Sequence, residues 1–525
     1  MRWFGKSRRR AADEIVRPGV SPFSNTIEQR ARTLGAELLD AARANQSGWF
    51  SRQFWSDKLM NWSMKDPHFK VQLFRFVDAF PSLRTPEQVH DHLVDYLTQP
   101  NVKLPPGMGL GIAAGGMAQS LFSRTVTAQI TGMAGKFIAG TDAESALPVL
   151  RQLWDRRVAF SVDLLGEACV SEAEADAYRS RYLDLLTLLP QQTAGWPGEP
   201  LLERDHLGAL PRVNVSIKIS SLAAKLDAID FEGSIDRAIG SIEPILLAAG
   251  HAGAFVNFDM EHHALKDLTL ALFMRCCERF DFEAGVAEQA YLRSGDTDPQ
   301  RVIEWAKRAG RVVTVRLVKG AYWDYETIRA DMENWPTPVW SRKRDTDACF
   351  ERMTERFIAA TPGKADEGGV KLALGSHNLR SIAVAVALLE SHGLPANAIE
   401  LQMLHGMADA LKDACVERSL RVREYVPVGE MIPGMAYLVR RLLENTSNES
   451  WLRAGFLDDA PIEQLLASPH DASIEPAPAD AAHPDDLPIR NEPLRDFADA
   501  AQREAFARAI ETAREIGRAS CRERV

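Results

Sequence analysis

The sequence predicts an α/β protein, a (βα)8 TIM-like barrel preceded by an N-terminal helical arm and a helical domain, and three observations predict it. The chain has 525 residues, 46% of them hydrophobic and 26% charged. That is enough for one large barrel with attachments and too apolar for disorder along its whole length. From residue 212 onward, short β-rich apolar runs alternate with helical spacers over roughly 240 residues, close to the length such a barrel needs. A polar residue closes nearly every run, where barrels of this class carry their chemistry.

Charge and cysteine usage narrow the function classes. With 62 basic and 72 acidic residues the net charge is -10, so no global footprint for nucleic acid or anionic lipid exists. Cys169, Cys276, Cys277, Cys349, Cys415 and Cys521 form no repeated C-x-x-C spacing and no disulfide framework, which predicts a reducing, cytoplasmic compartment. The basic stretch Met1 to Arg10 is followed by no apolar core before Asp13 and Glu14, so it is neither a secretory nor a twin-arginine signal. The most apolar runs, residues 110–118 and 382–389, fall short of the ~20 needed to cross a bilayer.

Taken in order, residues 1–25 are a tail and residues 26–100 a helical arm. Leu34, Leu38, Leu39 and Ala42 recur at helix spacing, then Val71, Phe74, Val77 and Phe80 repeat every three residues until Pro81 stops the helix. Residues 101–209 read as a helical domain, with helices from 143 to 189. Its Pro105, Pro106 and glycines at 107, 109, 111, 115 and 116 give a G-x-G spacing, but no strand precedes it and no acidic residue follows at the right offset. We therefore read a packing turn rather than a dinucleotide site. The barrel occupies residues 210–456, with strand runs at 213–219, 254–260, 284–290, 312–318, 370–374, 399–404 and 422–428, and an eighth strand expected to be weak or irregular. Prolines 469, 476, 478, 484 and 488 mark residues 457–493 as a semi-extended linker. A helix over about 494–515 follows, then an atypical tail to residue 525.

Strand ends supply the site candidates: Lys218, Asp259, Gln289, Arg316 with Lys319, His377, His405 and Tyr425. Any one alone is bland, since a lysine there is commonly a solvated rim residue and His405 reads equally as a satisfied core histidine. So regular a succession points to a site. Tyr437, Arg440, Arg441 and Glu444, at i, i+3, i+4 and i+7, share one helix face. Two guanidiniums there make an anion clamp that can grip a carboxylate bidentately, with Glu444 orienting them; the bland reading is a surface ladder contributing ~0.3 kcal/mol per pair. Arg316 to Asp324 places two cations, a glycine and the aromatics Tyr322 and Trp323 in one loop, which suits a large anionic cofactor with an aromatic ring system. Ser376, His377 and Asn378 add donors on the next strand. No metal site is expected, because Glu261, His262 and His263 are adjacent rather than at ligand spacing. Two rivals remain at this point: a Schiff-base barrel of the aldolase type using Lys218, and a non-catalytic assembly module.

Four segments resemble a known family. Arg316 to Asp324 (RLVKGAYWD), Leu404 to Met407 (LHGM), Tyr425 to Gly429 (YVPVG) and Tyr437 to Asn445 (YLVRRLLEN) look like the flavin-dependent proline dehydrogenase barrel of bacterial bifunctional proline utilization A proteins. The likeness runs from the N-terminal helices to about residue 448. It implies FAD as cofactor, L-proline as substrate, 1-pyrroline-5-carboxylate as product and a quinone acceptor met transiently at the inner membrane face. It further implies that Lys218, Arg440 and Arg441 hold the proline carboxylate, with Asp259 beside Lys218. Tyr425, Tyr437 and Leu404 wall the ring and Glu444 holds Arg441. On the cofactor side it puts Arg316 near flavin N5 and Gln289 at the pyrimidine edge. Val318, Lys319, Gly320, Ala321, Tyr322 and Trp323 run along the rest, with Ser376, His377 and Asn378 completing the wall. Ser376 stands where many relatives have Thr, which keeps the hydroxyl. Residues 494–525 would begin a second, aldehyde dehydrogenase domain that is otherwise absent, and the DNA-binding segment of some members has no counterpart. A homo-oligomer stays open.

Overall fold

A computed structural model describes residues 21–45, 66–104, 117–166, 168–430, 434, 437, 461–470 and 494–522. Eight parallel strands close into a barrel in sequence order: β1 (Ala159–Leu164), β2 (Asn214–Ile217), β3 (Phe255–Phe258), β4 (Glu283–Gln289), β5 (Val312–Val318), β6 (Gly369–Gly375), β7 (Ile399–Leu404) and β8 (Arg421–Val428). The closure is β8 against β1, in register from Ala159 opposite Arg423 to Leu164 opposite Val428. The seven strand runs read from the sequence all form. The eighth, expected to be weak or irregular, is instead the regular and fully buried β1, inside the stretch read as helical segments from 143 to 189. Alternation therefore begins before residue 210. The run Val158 to Leu165 is short, and periodicity alone cannot tell such a run from a buried helical turn.

Strand sequences alternate because the two faces of this barrel differ. Outward residues such as Val162, Val215, Ile217, Val256, Val315, Leu372 and Leu401 are buried against the surrounding helices and form the main core. The inward set is polar: Ser161, Asn214, Ser216, Asn257, Glu400, Gln402 and Arg423 are all buried. A polar interior persists only if its groups are paired. Ser161 Oγ donates to Asn214 Oδ1 at 2.6 Å, and Arg423 reaches both oxygens of Glu400 at 2.7 and 3.0 Å.

Helices precede the barrel. The first, α1 (Asn25–Ala44), is capped by Ser24 and buries Leu34, Leu38, Leu39 and Ala42 as the sequence predicts. Next, α2 (Pro67–Ala79) packs with α3 (Pro86–Leu97), which opens on a Thr85–Gln88 capping box. The buried stripe of α2 is Phe69, Leu73, Phe76 and Val77. Val71, read as part of a three-residue repeat, is 49% exposed, because the helix turns every 3.6 residues and a strict three-residue repeat drifts off the core face. The glycine-rich turn at 105–116 lies outside the described residues. Two more helices follow, α4 (Met117–Phe137) and α5 (Ala143–Asp155). Within the stretch read as linker, residues 461–470 dock on α1, where Leu466 lies so close over Gly35 that a Cβ there would sit 2.5 Å from it. Arg380 of the barrel helix Leu379–Ser391 ties the arm down through Glu28 at 3.0 Å while pairing with Glu351 of the neighbouring barrel helix Lys343–Ala359 at 2.8 Å.

Two buried acids on the last strands make the fold acid-sensitive. Burial works against ionising Glu400, but the Arg423 and Arg421 charges outweigh it and hold the carboxyl down at about 2. Glu424 is likewise held at about 2 by Lys412 and His405 despite burial. A carboxyl depressed in the folded state stabilises above its unfolded pKa near 4.5, and that contribution is lost as pH falls toward 2. The loss is on the order of 3 kcal/mol per group. The melting temperature is expected to drop steeply between pH 4.5 and 2, and less steeply in Glu400→Gln; calorimetry across that range checks it.

Candidate active site

The C-terminal ends of the strands surround a cavity of about 370 Å³. Its floor is a ring of paired charges. Lys218, just past β2, donates to the carboxylate of Asp163 at the end of β1, lies 3.9 Å from Asp259 Oδ2 and donates to Tyr425 OH at 3.4 Å. Tyr425 OH in turn donates to Asp259 Oδ2 at 2.8 Å. Arg316 of β5 donates to Asp259 Oδ1 at 2.6 Å, to Gln402 Oε1 at 2.6 Å and to Ser161 Oγ at 3.2 Å. Its guanidinium also stands 5.3 Å over the Tyr425 ring. Two-residue alternation puts each of these side chains on the inner face.

The electrostatics follow from burial and pairing. Burial pushes the Asp163 carboxyl up, against the pull of Lys218. Burial alone would lower the Lys218 ammonium, but the Asp163 and Asp259 charges outweigh it and hold the group above its ordinary value. The two carboxylates thus favour the charged form of Lys218, which works against a role as nucleophilic amine. Burial drives the Tyr425 hydroxyl well up, so it stays a neutral donor. Glu261 is also pushed up by burial, although Ser220 donates to it from both its amide and its hydroxyl.

The opposite wall comes from β4 to β6. Gln289, Val318, Lys319, Gly320, Ala321, Tyr322, Ser376 and His377 line the cavity together with Leu404 and Tyr437. Lys319 donates to Asp347, and burial pulls its ammonium down. Gly320 has φ +116°, and a Cβ there would come 2.4 Å from the Tyr291 ring, so only glycine lets the chain turn past Tyr291. His377 Nε2 accepts from the Leu404 amide at 2.9 Å, which in the neutral ring puts the proton on Nδ1. Gln289 Nε2 donates to the Glu261 carbonyl at 3.1 Å, whereas its buried Oε1 has no partner. A buried orphan acceptor beside a cavity suits the imide N–H of a flavin ring, and the neighbouring cations suit its anionic parts.

Some sequence candidates lie elsewhere. Trp323 is 42% exposed, does not line the cavity and donates to the Trp340 carbonyl at 2.7 Å. Asn378 caps the helix Leu379–Ser391 by accepting from Ser381 N at 3.0 Å. His405 is paired with Glu424 at 2.6 Å, outside the cavity. Arg440, Arg441 and Glu444 lie outside the described residues. Conversely, the sequence reading overlooked Asp163, Ser161 and Gln402. Asp163 carries the same signal as the other strand ends, an apolar run closed by a charged residue, but its strand was read as helix. Gln402 sits mid-strand, and its place two residues before Leu404 gives it the inward face. Among the described residues no group of three or more His, Cys, Asp or Glu side chains could hold a metal ion.

Comparisons with known proteins agree with this geometry. Residues 146–454 match the proline dehydrogenase family model and residues 28–137 the proline utilization A N-terminal domain. The chain is similar to the bifunctional protein PutA of Klebsiella aerogenes, with 27% identity over 366 residues covering 68% of this chain and 26% of that one. It is also similar to the proline dehydrogenase of Deinococcus radiodurans, 26% identical over 326 residues, 62% of this chain and 90% of that one. Proline utilization A from Bdellovibrio bacteriovorus, solved after inactivation by N-propargylglycine, superposes with a TM-score of 0.83 at 38% identity, covering 93% of this chain and 49% of that one. The chain thus spans about half the length of the Bdellovibrio protein and about a quarter of the Klebsiella one. With more than half of its length matched by one family model, across a closed barrel whose strand ends converge on a charged cavity, the chain belongs to the proline dehydrogenase family.

Proposed function

We propose that this barrel binds FAD in the strand-end cavity and oxidises L-proline to 1-pyrroline-5-carboxylate, with a quinone as final electron acceptor. The observation that carries the reading is the joining of two features in one cavity: the Asp163–Lys218–Asp259–Arg316 ring and the orphan Gln289 acceptor facing it. The family match supports the substrate. FAD, when bound, would supply the two-electron acceptor for hydride from the ring carbon next to nitrogen.

The chain's own residues supply position and field. Lys218, with Arg440 and Arg441, would hold the carboxylate, and Tyr425, Tyr437 and Leu404 would wall the ring. Cations around the substrate lower the pKa of its amine and so favour the neutral form that can release hydride. Arg316, fixed by three acceptors, would stabilise negative charge that develops on the cofactor side. Gln289, Lys319, Gly320, Tyr322, Ser376 and His377 would line the cofactor. A Schiff-base mechanism is disfavoured because Asp163 and Asp259 favour the charged form of Lys218. Among the described residues no helix is long and apolar enough to cross a membrane, so quinone would be met at a surface. Proline-dependent reduction of an artificial dye, with the cyclic imine identified by mass, tests the reading. Reduction driven by proline is expected; dye that stays oxidised would overturn it.

A further inference from the structure

Arg316 is not held by the site alone, because a chain of hydrogen bonds runs from it down the inside of the barrel. Its Nε donates to Gln402 Oε1 at 2.6 Å, and Gln402 Nε2 donates to Glu400 Oε1 at 2.7 Å. Glu400 is itself clamped by Arg423 at 2.7 and 3.0 Å and by Arg421 at 3.1 Å. Every member is buried. With its NH2 committed to a carboxylate, the Gln402 amide has only one usable orientation, oxygen toward Arg316. Adding Asp259, which also pairs with Arg316, the row holds three guanidiniums and two carboxylates. It therefore carries a net positive charge through the buried interior to the cavity floor.

We infer that Gln402 and Glu400 are positioning residues that lock Arg316 in place and, through it, set the reduction potential of the flavin. This rests on the proposed function. A neutral amide at 402 suits the task, since it links Arg316 to an anchored carboxylate without cancelling the charge of either.

The test is the midpoint potential of the flavin in Gln402→Glu holoenzyme, which adds one negative charge in the same volume. The reduced-to-oxidised ratio at a fixed potential is expected to fall at least tenfold, about 30 mV for a two-electron couple, with kcat for proline falling more than KM rises. An unchanged potential in folded, flavin-loaded Gln402→Glu would overturn the relay. Should that variant not fold, Gln402→Met, which removes both amide contacts and adds no charge, takes its place. A negative shift supports the relay; an unchanged or more positive potential overturns it. Wild-type protein that binds no flavin, or whose flavin ignores proline, would overturn the underlying reading. A normal wild type with an unresponsive variant sinks the relay alone.

Discussion

Lys218→Met is expected to lower kcat/KM for proline by about 10²–10³-fold and to destabilise the fold by about 3 kcal/mol. Both effects have one origin. Lys218 neutralises Asp163, which is buried at the end of β1, and stands 3.9 Å from Asp259. Removing the ammonium leaves the buried Asp163 carboxylate beside Asp259 without its counter-charge, and an orphaned buried charge costs more than the pair contributed. Restoring neutrality should therefore restore stability but not activity. In a double-mutant cycle, Lys218→Met with Asp163→Asn is expected to be destabilised by less than the sum of the single changes. Denaturant titration gives the stabilities and steady-state kinetics the activities. Strict additivity would show that the two residues do not form a unit.

Arg441→Met is expected to raise KM for proline by about two orders of magnitude while the flavin stays bound. A charge-assisted bond to a carboxylate is worth ~1.5–3 kcal/mol, which is ten- to a hundred-fold or more in affinity. Arg440→Met should behave alike, and Glu444→Gln more mildly, since it acts through Arg441. An unchanged KM in Arg441→Met removes the clamp assignment and leaves Lys218 as the carboxylate anchor.

Most of the barrel was legible because its strands carry two patterns at once. In β2, Asn214 and Ser216 turn inward while Val215 and Ile217 face the helices, and Lys218 closes the run. The inner polar face gives the alternation and the strand end gives the chemistry, so Lys218, Arg316 and Tyr425 could be picked from sequence. The first strand was lost for a local reason: it is six residues long and sits between helices that dominate any window around it. Asp163 was lost with it, although it is the closest partner of Lys218. Gln402 and Ser161 were hidden differently, since mid-strand polar residues look like defects until the pairing of the barrel interior is known. Trp323 lies apart from the cavity-lining residues. Its neighbourhood suggested stacking, but the turn at Gly320 carries the chain outward, and Trp323 begins the helix Trp323–Glu333 at the rim.

The account depends on a flavin held against a cationic, proline-sized pocket, and the visible absorption spectrum of the purified chain before and after anaerobic proline tests this most directly. The predicted result is a yellow protein whose visible flavin band bleaches on adding proline. Protein that is colourless when fully folded, or yellow protein whose band proline leaves unchanged, would contradict it.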